Sequence, residues 1–385
     1  MLSTAEGLLP PMTVWIQNPF DNLPQEGFRK QRYWLMAEAF VRAGHDVVYW
    51  TSDFSHAAKQ RREPPGTIPD GIDVVMVPTA PYNSNVCVRR AASHRAYART
   101  WSRMAAERAG DRPGLIVSSM PTISAAAAAL EIGRRLGARV AIDVQDAWPE
   151  TFERLAPNLM RPLARAMLAP LRREARRIYR EADFVTGVCD RYRDLTGRDD
   201  YTRAYLGIES PASRSAAPPG RAAETRRLVY SGNLGRSYDL ATVVKAVEAD
   251  ESLELDVAGF GAFASGCPRV RFHGLLSAER LRALLAECDV GVIPMRDDSW
   301  VGIPNKMFDY AAAGLRIVTS LGGETAALVS KYRCGATYRP GDAESLAKAV
   351  SACAEIGRDA SLEMCRREFD AVKIYDDYVG RVTMP

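Results

Sequence analysis

The sequence has few features of a disulfide-bonded, zinc-binding or membrane-spanning protein. It contains seven cysteines and four histidines in 385 residues. The cysteines are odd in number and none stands in C-x-x-C spacing, which argues against a disulfide framework or zinc site and favours a reducing, cytoplasmic compartment. No run of about 18 apolar residues is present, so we predict no membrane-spanning helix. The amino terminus also lacks the basic and apolar regions of a signal peptide.

A strong charge of one sign is missing as well. The 51 Lys and Arg residues and 47 Asp and Glu residues leave a formal net charge of only +4. Because no nucleic-acid-binding motif accompanies this weak charge, we predict no nucleic-acid partner. The chain is 47% hydrophobic and 25% charged, which is typical of a globular protein, and its length suits two domains.

Short apolar segments alternate with longer amphipathic ones along both halves of the chain. Such alternation predicts parallel sheets with helices on both faces. In the first half, the predicted strands are Met12–Gln17, His45–Thr51, Ile72–Val77, Leu115–Ser118, Val140–Val144 and Phe184–Val188, and the predicted helices are Arg29–Ala43, Val88–Ala109 and Ile123–Leu136.

The alternation stops in a Pro-, Ser-, Ala- and Gly-rich segment and then starts again. We interpret residues 207–226 as a linker between an amino-terminal domain (1–206) and a carboxyl-terminal domain (227–365), with a final helix in 366–385 that returns to the first domain. The predicted fold class is therefore α/β, with two Rossmann-like domains facing across a cleft. Open α/β sheets bind ligands beyond the carboxyl ends of their strands.

A glycine turn follows the first predicted strand of the second domain, in the sequence V-Y-S-G-N-L-G-R (229–236). Glycine lets the backbone approach a phosphate, and the N–H groups of a following helix attract an anion. Arg236 adds a charge that can bind phosphate oxygens. An ordinary β–α turn with a solvated arginine explains this segment alone equally well.

A second constellation is I-P-N-K-M-F-D-Y-A-A-A-G (303–314), where a helix is predicted to begin near Asn305. Lys306 falls in the first turn, where the helix dipole disfavours a cation, and this placement suggests an anionic partner such as a diphosphate. Asp309 shares the face of Lys306 and can accept hydrogen bonds from two neighbouring sugar hydroxyls. The alternative is an ordinary surface Lys–Asp pair.

Taken together and in order, these segments resemble family 4 glycosyltransferases, and the resemblance covers nearly the whole chain. It adds the D-V-Q-D-A-W-P-E segment, which is similar to the D-V-Q-D-x-W-P variant of enzymes that build bacterial surface polysaccharides. The matching segments are 143–150, 229–236, 257–261, 270–274, 303–314 and 316–320.

The resemblance implies the GT-B fold and a metal-independent transfer from a nucleotide sugar that retains the anomeric configuration. In the second domain it implies that Lys306 and Arg236 neutralise the leaving diphosphate and that Asp309 holds the ribose. The residues that it places around the nucleotide are Gly232, Asn233, Gly259, Phe272, His273, Gly274, Gly302 and Asn305.

In the first domain, the resemblance places Gly27 and Phe28 against the transferred sugar and phosphate, and Gln145 and Asp146 beside the sugar and acceptor. The sequence departs from the family pattern after the turn of the second domain. Asn233 and Tyr238 stand there at the spacing of the usual Arg and Lys. The expected function is therefore hexosyl transfer to a glycan, a lipid-linked acceptor or a small molecule, without a separate cofactor.

Two other functions remain open on the sequence. A sugar-nucleotide epimerase of the same shape would need acid–base carboxylates and usually a histidine, and histidines are few. A non-catalytic protein that binds nucleotide sugars would explain the absent first acid of the family's E-x7-E pattern. A dinucleotide site at the G-x-G-x-x-A segment 259–264 is disfavoured, because the segment does not follow the first strand of its domain.

The segment Arg161–Arg180 contains seven arginines and one glutamate, with apolar residues interleaved. It fits a basic amphipathic surface that contacts an anionic membrane at its inner face. It also fits an ordinary solvated helix whose apolar face packs on its own domain, which is the interpretation that we favour. Pro162 and Pro170 argue against one continuous helix.

Overall fold

The computed structural model describes residues 10–27, 29–83, 87–209, 225–235, 237–297 and 299–384. The chain divides into two compact units. Unit 1 comprises Met1–Tyr205 and Val372–Pro385, and unit 2 comprises Leu206–Ala371. Each unit is built on its own parallel sheet, which confirms the predicted α/β class. Most of the predicted linker, residues 210–224, lies outside the described residues.

Unit 1 contains a seven-stranded parallel sheet in the order β5-β2-β1-β6-β7-β8-β9, and a short antiparallel pair, β3 and β4. The strands are β1 Thr13–Gln17, β2 Asp46–Ser52, β3 Phe54–Ser55, β4 Gln60–Arg61, β5 Ile72–Val77, β6 Leu115–Met120, β7 Arg139–Val144, β8 Phe184–Gly187 and β9 Thr202–Arg203. The helices are α1 Arg32–Arg42, α2 Val88–Glu107, α3 Ile123–Leu136, α4 Glu150–Leu155, α5 Arg161–Glu181, α6 Arg193–Thr196 and, at the carboxyl terminus, α13 Ala371–Val382.

The central strands of unit 1 are buried on both faces, which is why they read as near-continuous apolar runs in the sequence. Every residue of β6 is buried. Indole rings fill one part of this core, where Trp50 lies 5.2 Å from Trp15 and 6.2 Å from Trp101 between ring centroids. Helix α13 packs on α1 through an edge contact between Tyr378 and Phe40.

Unit 2 contains a six-stranded parallel sheet in the order β12-β11-β10-β13-β14-β15. Its strands are β10 Arg226–Asn233, β11 Leu253–Phe260, β12 Val270–Gly274, β13 Val290–Ile293, β14 Arg316–Thr319 and β15 Gly335–Thr337. Its helices are α7 Leu240–Ala249, α8 Ala278–Glu287, α9 Asn305–Ala312, α10 Gly323–Tyr332, α11 Ala343–Ala352 and α12 Asp359–Glu368.

Strand order reverses once in each sheet, between β1 and β6 in unit 1 and between β10 and β13 in unit 2. Crossover helices leave these two strand pairs in opposite directions, so the loops at their carboxyl ends separate and expose a crevice. The functional segments expected from the sequence follow β1 and β7 in unit 1 and β10, β11, β12 and β13 in unit 2.

Helix α5 corrects the sequence-based expectation. The two prolines do not divide it, because Arg161–Glu181 is one helix with Pro170 inside it. Pro162 lies in the first turn, where its missing N–H is not needed. Across the described ranges, no helix is both long enough and apolar enough to cross a membrane.

Candidate functional site

The candidate site in unit 2 lies where β10 and β13 separate. These strands pair only at Leu228 with Val290 and at Val229 with Gly291. Beyond that point β10 continues towards Asn233 alongside β11. The carboxyl ends of the two strands therefore open a crevice at the reversal of strand order, the usual ligand position in open α/β sheets.

Tyr310, on α9, fills the separation between the two strands. Its hydroxyl accepts a hydrogen bond from the Ser231 N–H (2.9 Å) and donates one to the Val229 carbonyl (3.3 Å). A Cβ atom at Gly291 would lie 2.3 Å from Cδ2 of the Tyr310 ring, so the ring needs a glycine there. This contact anchors α9 to the sheet and sets the position of the first turn of the helix.

Three glycines keep the rim of the crevice bare. A Cβ at Gly259 would stand 1.7 Å from the Gly232 carbonyl oxygen, and one at Gly261 would stand 2.6 Å from Cβ of Leu234. All three glycines have positive φ: 124° at Gly232, 150° at Gly259 and 148° at Gly261. Side chains are therefore excluded here, and the backbone of the rim is open to close approach by a ligand.

Lys306 reaches this rim from the first turn of α9, and only 5% of the residue is exposed. Its Nζ lies 3.7 Å from the ring centroid of Tyr238 and 4.7 Å from that of Tyr230. A Cβ at Gly232 would be 3.7 Å from the same Nζ. The structure thus brings together Gly232 and Lys306, which the sequence predicted as parts of one site.

The electrostatic state of Lys306 is unusual. Burial lowers the pKa of Lys306 from 10.5 to about 7, and Asp309 opposes this shift. In the described part of the chain, Lys306 forms no ion pair or hydrogen bond. Its ammonium group makes cation–π contacts with the two tyrosine rings instead. An anion bound beside it would restore the charged form, since an opposite charge nearby raises the pKa of a lysine.

The two tyrosines beside Lys306 form a defined pair, which we call the tyrosine cage (Tyr230 and Tyr238). Their rings meet edge to face at 5.5 Å, and the Tyr230 hydroxyl donates to the Asn233 carbonyl (2.5 Å). Tyr238 also bridges to Met295, after β13. No sequence motif indicated the cage. Its one signal was Tyr238 at the spacing of the family's lysine.

The remaining predicted residues of α9 and its preceding loop lie close along the chain to Lys306. Asn305 is exposed, Asp309 is half-buried, and Gly302 is buried with its carbonyl accepting a hydrogen bond from Thr325 Oγ1 (2.8 Å). Arg236 and Phe28, also predicted as site residues, lie outside the described residues.

Phe272 and His273, two predicted site residues at the end of β12, have different environments. His273 Nε2 lies 2.6 Å from Oδ1 of the buried Asp256. Arg227 and Arg271 also bind this carboxylate, and together these hydrogen bonds hold the pKa of Asp256 far below its usual value. His273 is therefore engaged in an ionic cluster, whereas Phe272 is 40% exposed, so Phe272 is the better placed to meet a ring.

In unit 1, the predicted residues follow β7 and β1. Gln145 is half-buried, and its N–H donates to the Met120 carbonyl at the end of β6 (3.1 Å). Burial raises the pKa of Asp146, against a hydrogen bond from the Ala147 N–H and the charge of Arg90. Gly27 is exposed with a φ of 78°, at the end of a 3₁₀ turn, Pro24–Glu26.

Asp143, the first acid of the D-V-Q-D segment, has a different environment from Asp146. It is fully buried and forms a bidentate pair with Arg32, with Nε–Oδ2 at 2.8 Å and Nη2–Oδ1 at 2.7 Å. Tyr33 and Thr186 each donate a further hydrogen bond to it, and the arginine and these donors keep the pKa of Asp143 low. This acid is thus internally satisfied, which the sequence did not reveal.

An aromatic cluster lies near Asp146 and was also missed. The His94 ring stacks on Trp148 with centroids 5.7 Å apart, and the Arg90 guanidinium lies 4.8 Å above the same indole. Burial and Arg90 lower the pKa of His94 to about 3, so the ring is neutral at pH 7. Residues from α2 and from the loop after β7 form it, and only the fold brings them together.

Two protein-family models match the chain. The model "Glycosyl transferase 4-like domain" matches residues 30–205, and the model "Glycosyl transferases group 1" matches residues 225–355. No curated protein sequence is a significant match. Within the described ranges, no group of three His, Cys, Asp or Glu side chains is arranged to hold a metal ion.

Solved structures of the GT-B type resemble the whole chain. Sucrose-phosphate synthase from Thermosynechococcus elongatus superposes with a TM-score of 0.71 at 14% identity, covering 97% of this chain and 98% of the other. WaaG, a glycosyltransferase involved in lipopolysaccharide biosynthesis, gives 0.64 at 14% identity over 97% and 100%. HepE from Anabaena, solved with UDP and glucose, gives 0.64 at 13% over 97% and 99%. At these identities the structures show the fold, and the two family matches indicate a GT-B glycosyltransferase of the group 1 type.

Proposed function

We propose that this protein is a retaining glycosyltransferase that moves a hexosyl group from a nucleoside diphosphate sugar to an acceptor hydroxyl. The observation that carries the proposal is Lys306, a buried cation without an ionic partner in the described residues, beside the glycine rim at the end of β10. A diphosphate is the anion that this arrangement fits, because bare backbone and one ammonium group can meet it together.

Lys306 acts on the leaving group. Negative charge grows on the diphosphate as the sugar–oxygen bond breaks, and a preformed cation in a water-poor site stabilises it strongly. With a pKa of about 7, free Lys306 is about half protonated at neutral pH. A bound diphosphate raises the pKa of Lys306 and so favours the ammonium form. The substrate therefore induces the positive charge that stabilises its own leaving group.

The other unit 2 residues orient the nucleotide. The Asp309 carboxylate accepts hydrogen bonds from ribose hydroxyls, and the exposed ring of Phe272 stacks on the base. Gly232, Asn233 and Gly259 offer backbone groups to the phosphates. HepE, one of the similar structures, was solved with UDP and with UDP-glucose, which supports a nucleotide sugar as the substrate of this chain.

The unit 1 residues act on the sugar and acceptor. In the proposed reaction, the departing phosphate oxygen takes the proton of the acceptor hydroxyl on the face where the new bond forms, so configuration is retained and no protein nucleophile is needed. Gln145 and Asp146 orient the two substrates by hydrogen bonding. Since a lysine supplies the positive charge, we propose that transfer requires no metal ion and no cofactor, and that the acceptor is a glycan, a lipid-linked sugar or a small molecule.

The first test is a panel of nucleotide sugars in a thermal-shift assay with the full chain. The true sugar donor should raise the unfolding temperature by mass action. That sugar nucleotide is then incubated with and without acceptors, and products are analysed by NMR for anomeric configuration and by mass spectrometry. Transfer with retention, unaffected by EDTA, is expected. Epimerised sugar in the absence of acceptor would instead identify an epimerase, and binding with neither transfer nor hydrolysis would identify a non-catalytic protein.

The assignment of Lys306 is tested by Lys306→Ala. Loss of one group that stabilises transition-state charge reduces turnover by roughly 100- to 1,000-fold. Lys348→Ala is the matched control, because Lys348 is an exposed lysine of the same unit, paired with Glu344. Turnover by Lys306→Ala equal to that of the control would overturn the assignment.

A further inference from the structure

Helix α5 and the turn before it carry an exposed apolar surface. Leu159 is 93% exposed and Met167 is 72% exposed. Together with Met160, Leu163 and Leu171, they account for five of the ten large hydrophobic residues that are exposed in the described chain. We call these five residues the α5 stripe. Such a concentration of large apolar side chains on a short segment is unusual for surface that faces only water.

The stripe is exposed because only the second half of α5 packs on the core of unit 1. Leu163, Met167 and Leu171 recur every four residues and therefore lie on one face. In the second half of α5, the core of unit 1 covers Ala175, Ile178 and Tyr179. The interpretation of the apolar face as packed on its own domain thus holds for the second half of α5, and it is wrong for the first half.

The stretch of sequence that carries the stripe contains arginines and no acidic residues. No Asp or Glu occurs from Arg154 to Arg173. Several arginines are already engaged within unit 1: Arg165 and Arg172 with Glu153, and Arg177 with Glu174.

Three further arginines remain available on α5. Arg173, Arg176 and Arg180 are exposed, and they form no ion pair within the described residues. At about 3.6 residues per turn they lie across the helix from the stripe. A helix with one apolar face and an arginine-rich opposite face has the pattern of a helix that lies in a membrane interface.

We propose that the α5 stripe and Arg173, Arg176 and Arg180 form a docking surface for an anionic lipid bilayer. The apolar side chains enter the interface between headgroups and acyl chains, while the arginines stay within about 10 Å of the negative surface, the range over which its potential acts. Because Arg161–Arg180 holds seven arginines and one glutamate, this helix attracts an anionic surface and repels the same helix of a second copy, so its charge favours an anionic bilayer over a symmetric dimer.

This surface is separate from the proposed chemistry, since α5 contributes none of the proposed site residues. Docking would confine the protein to a membrane surface and so favour acceptors that are anchored there. Loss of docking should therefore leave transfer to a water-soluble acceptor unchanged, and the two proposals can fail independently.

The test is flotation of the full chain with vesicles of phosphatidylcholine alone or of phosphatidylcholine mixed with phosphatidylglycerol, an anionic lipid that gives the vesicle a negative surface potential. The variant Leu163→Gln/Met167→Gln removes two residues of the stripe that are 56% and 72% exposed. The matched control is Val372→Gln/Met384→Gln, which changes two residues of unit 1 that are 54% and 58% exposed. Thermal unfolding of each variant verifies that it is folded.

We expect the wild type and the control to float with the anionic vesicles and to bind neutral vesicles weakly. Leu163→Gln/Met167→Gln should bind at least roughly tenfold more weakly, because burial of each apolar side chain contributes strongly to partitioning. Arg173→Gln/Arg176→Gln/Arg180→Gln should lose the preference for the anionic lipid.

Two outcomes would overturn the proposal. One is a wild type that does not float with anionic vesicles. The other is a stripe variant that floats as well as its control. If light scattering instead shows a wild-type dimer that the stripe variant loses, without vesicle binding, the surface serves a second copy of this chain.

Discussion

Unit 1 and unit 2 each bury a cation, and the two cations have opposite surroundings. Arg32 in unit 1 is bidentate to Asp143 and also donates to the carbonyls of Ala204 (2.7 Å) and Tyr205 (2.9 Å). Lys306 in unit 2 faces two aromatic rings instead. Arg32 makes these four hydrogen bonds within its own unit, whereas the ammonium of Lys306 makes none within the described residues.

The difference distinguishes a structural charge, Arg32, from the charge that we propose is functional, Lys306. A buried ion pair that is fully hydrogen-bonded contributes order and is costly to break, yet it offers nothing to a substrate. A buried lysine with a lowered pKa costs stability, and such costs concentrate at functional sites. Burial alone would not have distinguished Arg32 from Lys306, because both are almost completely enclosed. Their partners distinguish them.

The largest effect is expected from breaking the pair in unit 1. Asp143→Asn leaves the buried Arg32 without its counter-charge, and should lower the free energy of unfolding by about 3–5 kcal/mol. Urea unfolding followed by tryptophan fluorescence reports mainly on unit 1, because Trp15, Trp34, Trp50, Trp101 and Trp148 belong to it.

The control for this pair is Asp376→Asn in the exposed pair with Arg42, where the two side chains are 49% and 43% exposed. Its loss should cost less than about 1 kcal/mol. Equal costs for Asp143→Asn and Asp376→Asn would contradict the structural role of the buried pair.

Removing the buried cation of unit 2 is expected to raise the stability of the protein, not to lower it. Lys306→Met keeps an unbranched side chain, shorter by one atom, and removes the buried charge, so it should stabilise the protein by about 1–4 kcal/mol near pH 7 while abolishing most transfer. Thermal unfolding and the transfer assay together check this prediction. A loss of both stability and activity would mean that Lys306 has a structural partner after all.

The stability gained by Lys306→Met should also depend on pH. The folded pKa of Lys306 is about 7 and its ordinary value is 10.5, so between these values the unfolded chain binds the extra proton. Stability therefore rises with pH in this window, and the full cost of the lysine applies below pH 7. The stability difference between Lys306→Met and wild type should narrow from pH 7 to pH 10. A constant difference would show that the lysine does not titrate in that range.

A smaller effect is expected at Tyr310, which joins α9 to the separated strands. Tyr310→Phe keeps the ring beside Gly291 and leaves the buried Ser231 N–H without its acceptor, at a cost of about 1–3 kcal/mol. Hydrogen exchange at Ser231 should quicken, and the affinity for the nucleotide sugar should fall because Lys306 is held less firmly.

Tyr332→Phe is the control for Tyr310→Phe. It removes a half-exposed hydroxyl that donates to Glu368 on the same unit, and it should change neither quantity appreciably. A nucleotide affinity that falls equally in both variants would argue against an anchoring role for Tyr310.

Much of the fold was predictable, because the local patterns of apolar residues and glycines match the strands and turns that the fold contains. The apolar runs of the first half became β1, β2, β5, β6, β7 and β8, and the glycine turn after β10 lies at the expected end of its strand. The prediction failed at α5, where Pro162 and Pro170 were expected to interrupt the helix. A first-turn proline and an exposed interior one are tolerated when the rest of the helix is packed, and packing is not visible in local sequence.

The candidate site was predictable only in part. Lys306 and Gly232 were proposed as one site, and the structure brings them together. The tyrosine cage was not proposed, because Lys306 lies far along the chain from Tyr230 and Tyr238, and only the fold brings the lysine to the two rings. The hydrogen bond that joins His273 to Asp256 on the neighbouring strand was not proposed either.

Hydrophobic period and glycine position act over a few residues, so the sequence alone predicts most of the longer strands and helices and the turns between them. It also determined which residue types stand at the ends of the strands. What each charged group faces depends on the fold. Asp143 and Asp146 are three residues apart in one motif. Asp143 is buried in an ion pair with Arg32, whereas Asp146 lies in the loop after β7. A charge takes its energy from all its neighbours in space, and the fold alone selects those neighbours.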